Sequence, residues 1–259
     1  MQTVPDHLKP PLADLLLSLA DDKLLLGHLN SDWTGLAPIL EEDIAFSHLA
    51  QDEIAHAQAI YELAGRLTGR GPDQLAFGRT PQQFRSAALV EVPDEFDWAT
   101  ALSRKLFCDR FDALRLDRLA CSAWPPLRDL ARRIADEERV HVEHTDGWVI
   151  RLGRGTSESN ARMTRALTAL APLAPGLFEP VENQEQLAAA GLYPGDENAM
   201  FQSWLAGVQD VLNRAGLKAS IPARDPSVRG GRRGVHTPHL KGILDEMCEV
   251  YRLEPDAAW

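Results

Sequence analysis

Along most of the chain apolar residues recur at steps of three and four, and they alternate with polar ones almost nowhere, which predicts an all-α protein. Pro10 and Pro11 can open a first helix that runs to about Trp33. On it Leu12, Leu15, Leu19, Asp22, Leu26, Leu29 and Trp33 share one face. After the turn Thr34-Gly35-Leu36-Ala37, a second helix is expected from about Pro38 to Leu67, ending at Gly69-Arg70-Gly71-Pro72. The stretch from Pro72 to Pro93 is ambiguous, because Pro81 interrupts any long helix there. A third helix is expected from Asp94 or Glu95 to Ser122, and a fourth from about Pro126 to Leu152, across the tight connection Trp124-Pro125-Pro126. Two long antiparallel pairs with short connections make a four-helix bundle. Further helices are expected near Asn160–Ala171, Glu197–Ala215 and Pro238–Leu253, with a Gly- and Arg-rich loop, Ile221 to Val235, before the last. This is one domain, 1–259, with a core bundle over about 10–155 and a C-terminal helical extension over about 156–259.

Charge narrows the partners. The net formal charge of -11 repels phosphate backbones and anionic membrane surfaces, so neither nucleic acid nor a membrane is expected. No apolar run approaches membrane-spanning length, and MQTVPDHLKPP has no signal-peptide pattern. Cys108, Cys121 and Cys248 have neither the number nor the spacing of a disulfide framework or a zinc site. A cytoplasmic protein is expected.

The candidate chemistry lies in two E-x-x-H motifs, Glu53-Ile54-Ala55-His56 and Glu138-Arg139-Val140-His141. A three-residue step places carboxylate and imidazole on one helix face, one turn apart. Each motif interrupts an apolar stripe: Phe46, Leu49, Ile60 and Leu63 in the second helix, and Leu127, Leu130, Ile134 and Trp148 in the fourth. Buried carboxylates need a partner, which a cation can provide. Two such turns plus one carboxylate from each remaining helix can hold a pair of metal ions. Antiparallel register points to Asp22 and Asp109, with Asp21 and Asp112 as the nearest competitors. The expected metal set is therefore Asp22, Glu53, His56, Asp109, Glu138 and His141, a hard oxygen and imidazole set suited to iron or manganese. The competing reading of each motif is a buried or surface ion pair. Glu42 is in phase with Glu53, Glu137 and Glu143 are expected to face solvent, and His144 is read as a surface histidine.

Several strings carry a family resemblance. They are Leu26-Gly27-His28-Leu29, Asp32-Trp33-Thr34-Gly35, Leu40-Glu41-Glu42-Asp43-Ile44-Ala45 and, most specific, Gly230-Gly231-Arg232-Arg233-Gly234-Val235-His236-Thr237-Pro238-His239-Leu240. From about Leu19 to Trp259 the chain resembles the PaaC-type structural subunits of phenylacetyl-CoA epoxidase complexes, of the ferritin-like superfamily. The resemblance implies a ferritin-like fold and a supporting role beside a catalytic di-iron subunit. That partner adds one oxygen atom of O2 across the aromatic ring of phenylacetyl-CoA in aerobic phenylacetate breakdown, and a reductase component supplies electrons. It also implies a homodimer or hetero-oligomer. Structural subunits of this kind usually carry apolar or amide residues where Glu53 and His56 stand here. A metal site retained in a supporting subunit, up to a di-iron site, reconciles the two.

The loop from Arg224 to Arg233 concentrates arginines on an acidic chain, and guanidinium groups bind phosphates and carboxylates directionally. Arg232 and Arg233 are therefore candidates to contact the phosphates of a CoA thioester or an acidic patch on a partner, against the reading of a solvated connection. Three other functions compete with the supporting one: a self-sufficient di-iron oxidase or oxygenase, a metal-free helical scaffold and, ranked last, iron storage.

Overall fold

The computed structural model of the chain describes residues 4–255. Among these, ten α-helices and five 3₁₀ turns form, and no strand does. The helices are α1 (Lys9–Ser31), α2 (Leu40–Thr68), α3 (Pro72–Ala76), α4 (Trp98–Leu119), α5 (Pro125–Gly153), α6 (Ser157–Leu170), α7 (Gln184–Ala189), α8 (Glu197–Ala215), α9 (His239–Met247) and α10 (Glu249–Leu253). The chain is all-α, as expected, and is built around the two long helix pairs that a ferritin-like bundle requires.

It divides into two compact units. The first holds the described residues up to Pro93, Val181–Gln186 and those from Arg229 onward; the second holds Asp94–Pro180 and Leu187–Val228. In the first unit α1 packs along α2. Pro10 and Pro11 sit in the first turn of α1, where a missing N–H leaves no hydrogen bond unmade. Helix α2 stops at Gly69, whose φ of 73° is left-handed and whose N–H donates to Gly65 O at 2.8 Å. The ambiguous stretch resolves into α3 and two 3₁₀ turns, Pro81–Gln83 and Ala88–Glu91; Phe84, Leu89 and Val90 are buried there.

In the second unit α4 pairs with α5, and α6 and α8 pack on that pair. Helix α4 begins later than expected, because Glu95 and Phe96 adopt positive φ (50° and 59°) and Asp97 then caps the helix through Ala99 N at 3.3 Å. Phe111, Phe178, Phe201 and Trp204 form an aromatic core. Its rings meet edge to face at 4.8 Å for Phe111–Phe178 and 5.4 Å for Phe178–Trp204, and Trp204 Nε1 donates to Phe107 O at 2.9 Å. The final expected helix is broken at Cys248 (φ −94°, ψ 4°) into α9 and α10.

Candidate metal centre

All six expected ligands are buried, and the two halves of the set differ. In the second unit Asp109 of α4 and Glu138 and His141 of α5 come together. One carboxylate oxygen from each acid and one ring nitrogen of His141 lie within 4.8 Å of one another. Asp109 also has protein partners: Lys105, one turn earlier on α4, places Nζ 3.1 Å from Oδ1, and Thr145 Oγ1 donates to Oδ2 at 2.7 Å. Lys105 is fully buried, so its ammonium is part of the core and not a solvated surface group.

The first unit is arranged otherwise. Glu53 receives the ammonium of Lys23, with Nζ 2.9 Å from Oε2 and both side chains at 0% exposure. Asp22 does not turn toward the E-x-x-H motif of α2. Its Oδ1 accepts from Arg232 Nη1 at 2.8 Å and from Ala87 N at 2.9 Å, and its Oδ2 accepts from Arg232 Nη2 at 2.6 Å. The reason is angular: one residue along a helix is a rotation of about 100°, so when Lys23 meets Glu53 its neighbour Asp22 must face elsewhere. His56 is buried one turn beyond Glu53, and among the described residues neither it nor Asp22 joins a set of three or more close donors.

The register makes the contrast explicit. Asp109 stands 29 residues before Glu138 (138 − 109), and Lys23 stands 30 before Glu53 (53 − 23). A lysine of α1 thus meets the glutamate of its motif, whereas an aspartate of α4 approaches that of its own. The donor set of the first unit has a guanidinium fork on Asp22 and an ammonium on Glu53, which still offers an oxygen as a candidate metal donor. That of the second unit retains three metal-type donors, with one ammonium bound to one of them.

Asp21, placed as a competitor, is also fully buried and belongs to a third arrangement. Arg79 forks onto it through Nη1 (3.1 Å, Oδ2) and Nη2 (Oδ1), Arg85 N donates to Oδ2 at 2.6 Å, and Tyr61 O–H donates to Oδ1 at 2.6 Å. Burial, then the adjacent Asp21 charge, holds the Tyr61 hydroxyl well above the ordinary phenol range. Three consecutive residues of α1, Asp21, Asp22 and Lys23, therefore point in three directions, and each meets a counter-charge. Sequence reasoning missed Lys23, Lys105 and Arg79. The available signal was the i,i+4 spacing of Lys105 and Asp109 and the register of Lys23. Glu42 is buried, Glu137 and Glu143 are exposed as expected, and His144 is half-buried.

The Gly-Gly…His-Thr-Pro string clasps the first unit. Gly231 packs so closely on Ser86 that a Cβ would fall 1.6 Å from its carbonyl oxygen. His236 Nδ1 lies 2.6 Å from Glu91 Oε1, and Thr237 N donates to Glu91 Oε2 at 2.7 Å. Arg232, expected to contact CoA phosphates, is 2% exposed and is committed to Asp22, Ser18 O and Arg85 O. Its role is internal, because the 3₁₀ turn Gly231–Arg233 aims it at α1. Arg233 stays half-buried.

No helix among the described residues is long and apolar enough to cross a membrane. The whole chain, residues 1–259, matches the family described as Phenylacetic acid catabolic protein. It is 32% identical over 244 residues to the C subunit of the 1,2-phenylacetyl-CoA epoxidase of Escherichia coli (strain K12), over 94% of this chain and 97% of that protein. The chain therefore belongs to the phenylacetic acid catabolic protein family.

Proposed function

We propose that this chain is the supporting subunit of a multicomponent oxygenase that epoxidises the aromatic ring of phenylacetyl-CoA, and that it does not itself activate O2. Likeness to the C subunit of the Escherichia coli enzyme supplies the substrate class. One observation carries the division of labour. Lys23 puts an ammonium on Glu53, beside a carboxylate to which an oxygen-activating metal pair would bring further anionic oxygens. Glu53 and Asp109 each carry a lysine ammonium from within the chain, so these two acids do not depend on a metal for a counter-charge. Iron, the redox metal of the reaction, would be held by a catalytic partner subunit and reduced by a reductase component. Asp109, Glu138 and His141 would hold at most one divalent ion here.

Co-expression with a catalytic subunit tests the reading. This chain with reductase alone should yield no epoxide from phenylacetyl-CoA, whereas the co-purified pair should turn over and elute as one species. Turnover by this chain and reductase alone, with roughly two irons per chain, would establish the self-sufficient oxygenase instead.

A further inference from the structure

A cavity in the first unit gathers charge of the sign that the chain as a whole lacks. Asp14 of α1, Arg85, Glu182, Arg229, Arg232 and Arg233 line a space of about 320 Å³. Four guanidinium groups face two carboxylates there, in a chain whose net charge is -11.

The cavity is built and not a chance gathering of surface arginines. Arg232 forms a fixed floor, locked to Asp22 in a two-pronged pair with Nη2 2.6 Å from Oδ2, and its Nη1 donates to Arg85 O at 2.7 Å. The loop that carries the arginines cannot drift from the 82–86 segment. Gly231 lies against Ser86 O, and Gly234, at φ 76°, would place a Cβ 2.4 Å from Gln82 O. Arg85 Nε stands 3.3 Å from Asp14 Oδ1 on the wall. Arg229 is exposed and Arg233 half-buried. Burial pushes the Asp14 carboxyl up, so this wall gives up a negative charge more readily than an ordinary aspartate does.

We propose that this cavity binds the phosphate group of a small phosphorylated molecule, with Arg229 and Arg233 as its principal ligands. Guanidinium forks match phosphate oxygens in geometry, and a phosphate monoester at neutral pH carries close to two negative charges. The volume is about that of ten liquid waters, room for a phosphate and part of its ester. A nucleic acid backbone would meet the acidic remainder of the surface. The inference is independent of the supporting role proposed above.

Titration calorimetry on the full chain tests it, with inorganic phosphate, CoA and dephospho-CoA as probes at low salt. Saturable phosphate binding is expected, weakened about tenfold by Arg229→Ser and by Arg233→Ser. Glu182→Gln, an exposed change that leaves the buried clasp intact, should tighten it severalfold. CoA binding more tightly than dephospho-CoA would identify the ester phosphate as the natural group; phosphate binding with no binding of either CoA or dephospho-CoA would identify free phosphate. Absence of saturable phosphate binding by the folded chain would overturn the assignment. So would affinity indifferent to all three substitutions, or malonate binding as tightly as phosphate.

Discussion

Lys23 and Glu53 are buried to 0% exposure at 2.9 Å, a geometry in which each charge is tolerated because of the other. Lys23→Met should lower stability by about 3–5 kcal/mol, because the carboxylate stays behind without its ammonium; urea unfolding would check it. Lys23→Glu makes a sharper demand. It puts a second carboxylate at a ligand position, so the variant should be unstable in chelator and recover with added Fe(II). A melting temperature indifferent to Fe(II) would show that this register is not a ligand position. Asp14 sets a pH dependence. Its folded carboxyl is raised by burial, so its contribution is present below the unfolded value and fades as pH rises through the folded one. An amide does not titrate, so the melting temperature of Asp14→Asn relative to the parent should be higher at pH 7 than at pH 4. At this scale the sequence was half-readable. Each E-x-x-H pair lies on one helix, where the period alone fixes the face. The ligands opposite depend on turn geometry, where a one-residue error exchanges Asp22 for Lys23 and rotates the choice by about 100°.

Among the elements, α1 shows what that rotation accomplishes. Asp21 faces Arg79 and Tyr61, Asp22 faces Arg232, and Lys23 faces Glu53, so α3 and its following turn, the C-terminal segment and α2 are each fastened to one helix by one charge. Long periodic helices were legible because their stripes and their proline and glycine stops are local signals. The segment after α3 and the Gly-Gly…His-Thr-Pro string were not, since their partners are remote: Arg232 and Asp22 are 210 residues apart. The glycine string, suggestive of a ligand loop by its arginines, acts chiefly as a clasp. Gly231→Ala should therefore destabilise the chain by about 2–4 kcal/mol, since backbone and not a flexible side chain blocks the new methyl group. Ordinary capping gives a scale for comparison. Asp196 accepts from Ala199 N at 2.7 Å to start α8, and Asp196→Ala should lose only about 1 kcal/mol in the same denaturation assay.

For the molecule as a whole, any ligand that binds only the native state raises the melting temperature in proportion to the logarithm of its concentration over its Kd. The two readings of the first unit give opposite expectations on that measure. Its core carries internal ammonium and guanidinium partners on Glu53 and Asp22, so native packing there does not wait on a metal. Its arginine cavity presents net positive charge to an anion. Asp109 of the second unit likewise carries an internal ammonium, from Lys105, so thermal unfolding of the parent chain should be insensitive to exhaustive chelation. Millimolar phosphate should raise the transition by a few degrees, on the scale of about 1 kcal/mol of linkage. In Arg233→Ser the phosphate response should collapse while indifference to chelator persists, because that side chain lines the cavity and has no place among the donors of the core. A transition that falls on chelation in both proteins would return the metal to the centre of the architecture and make the lysines its neighbours, not its substitutes.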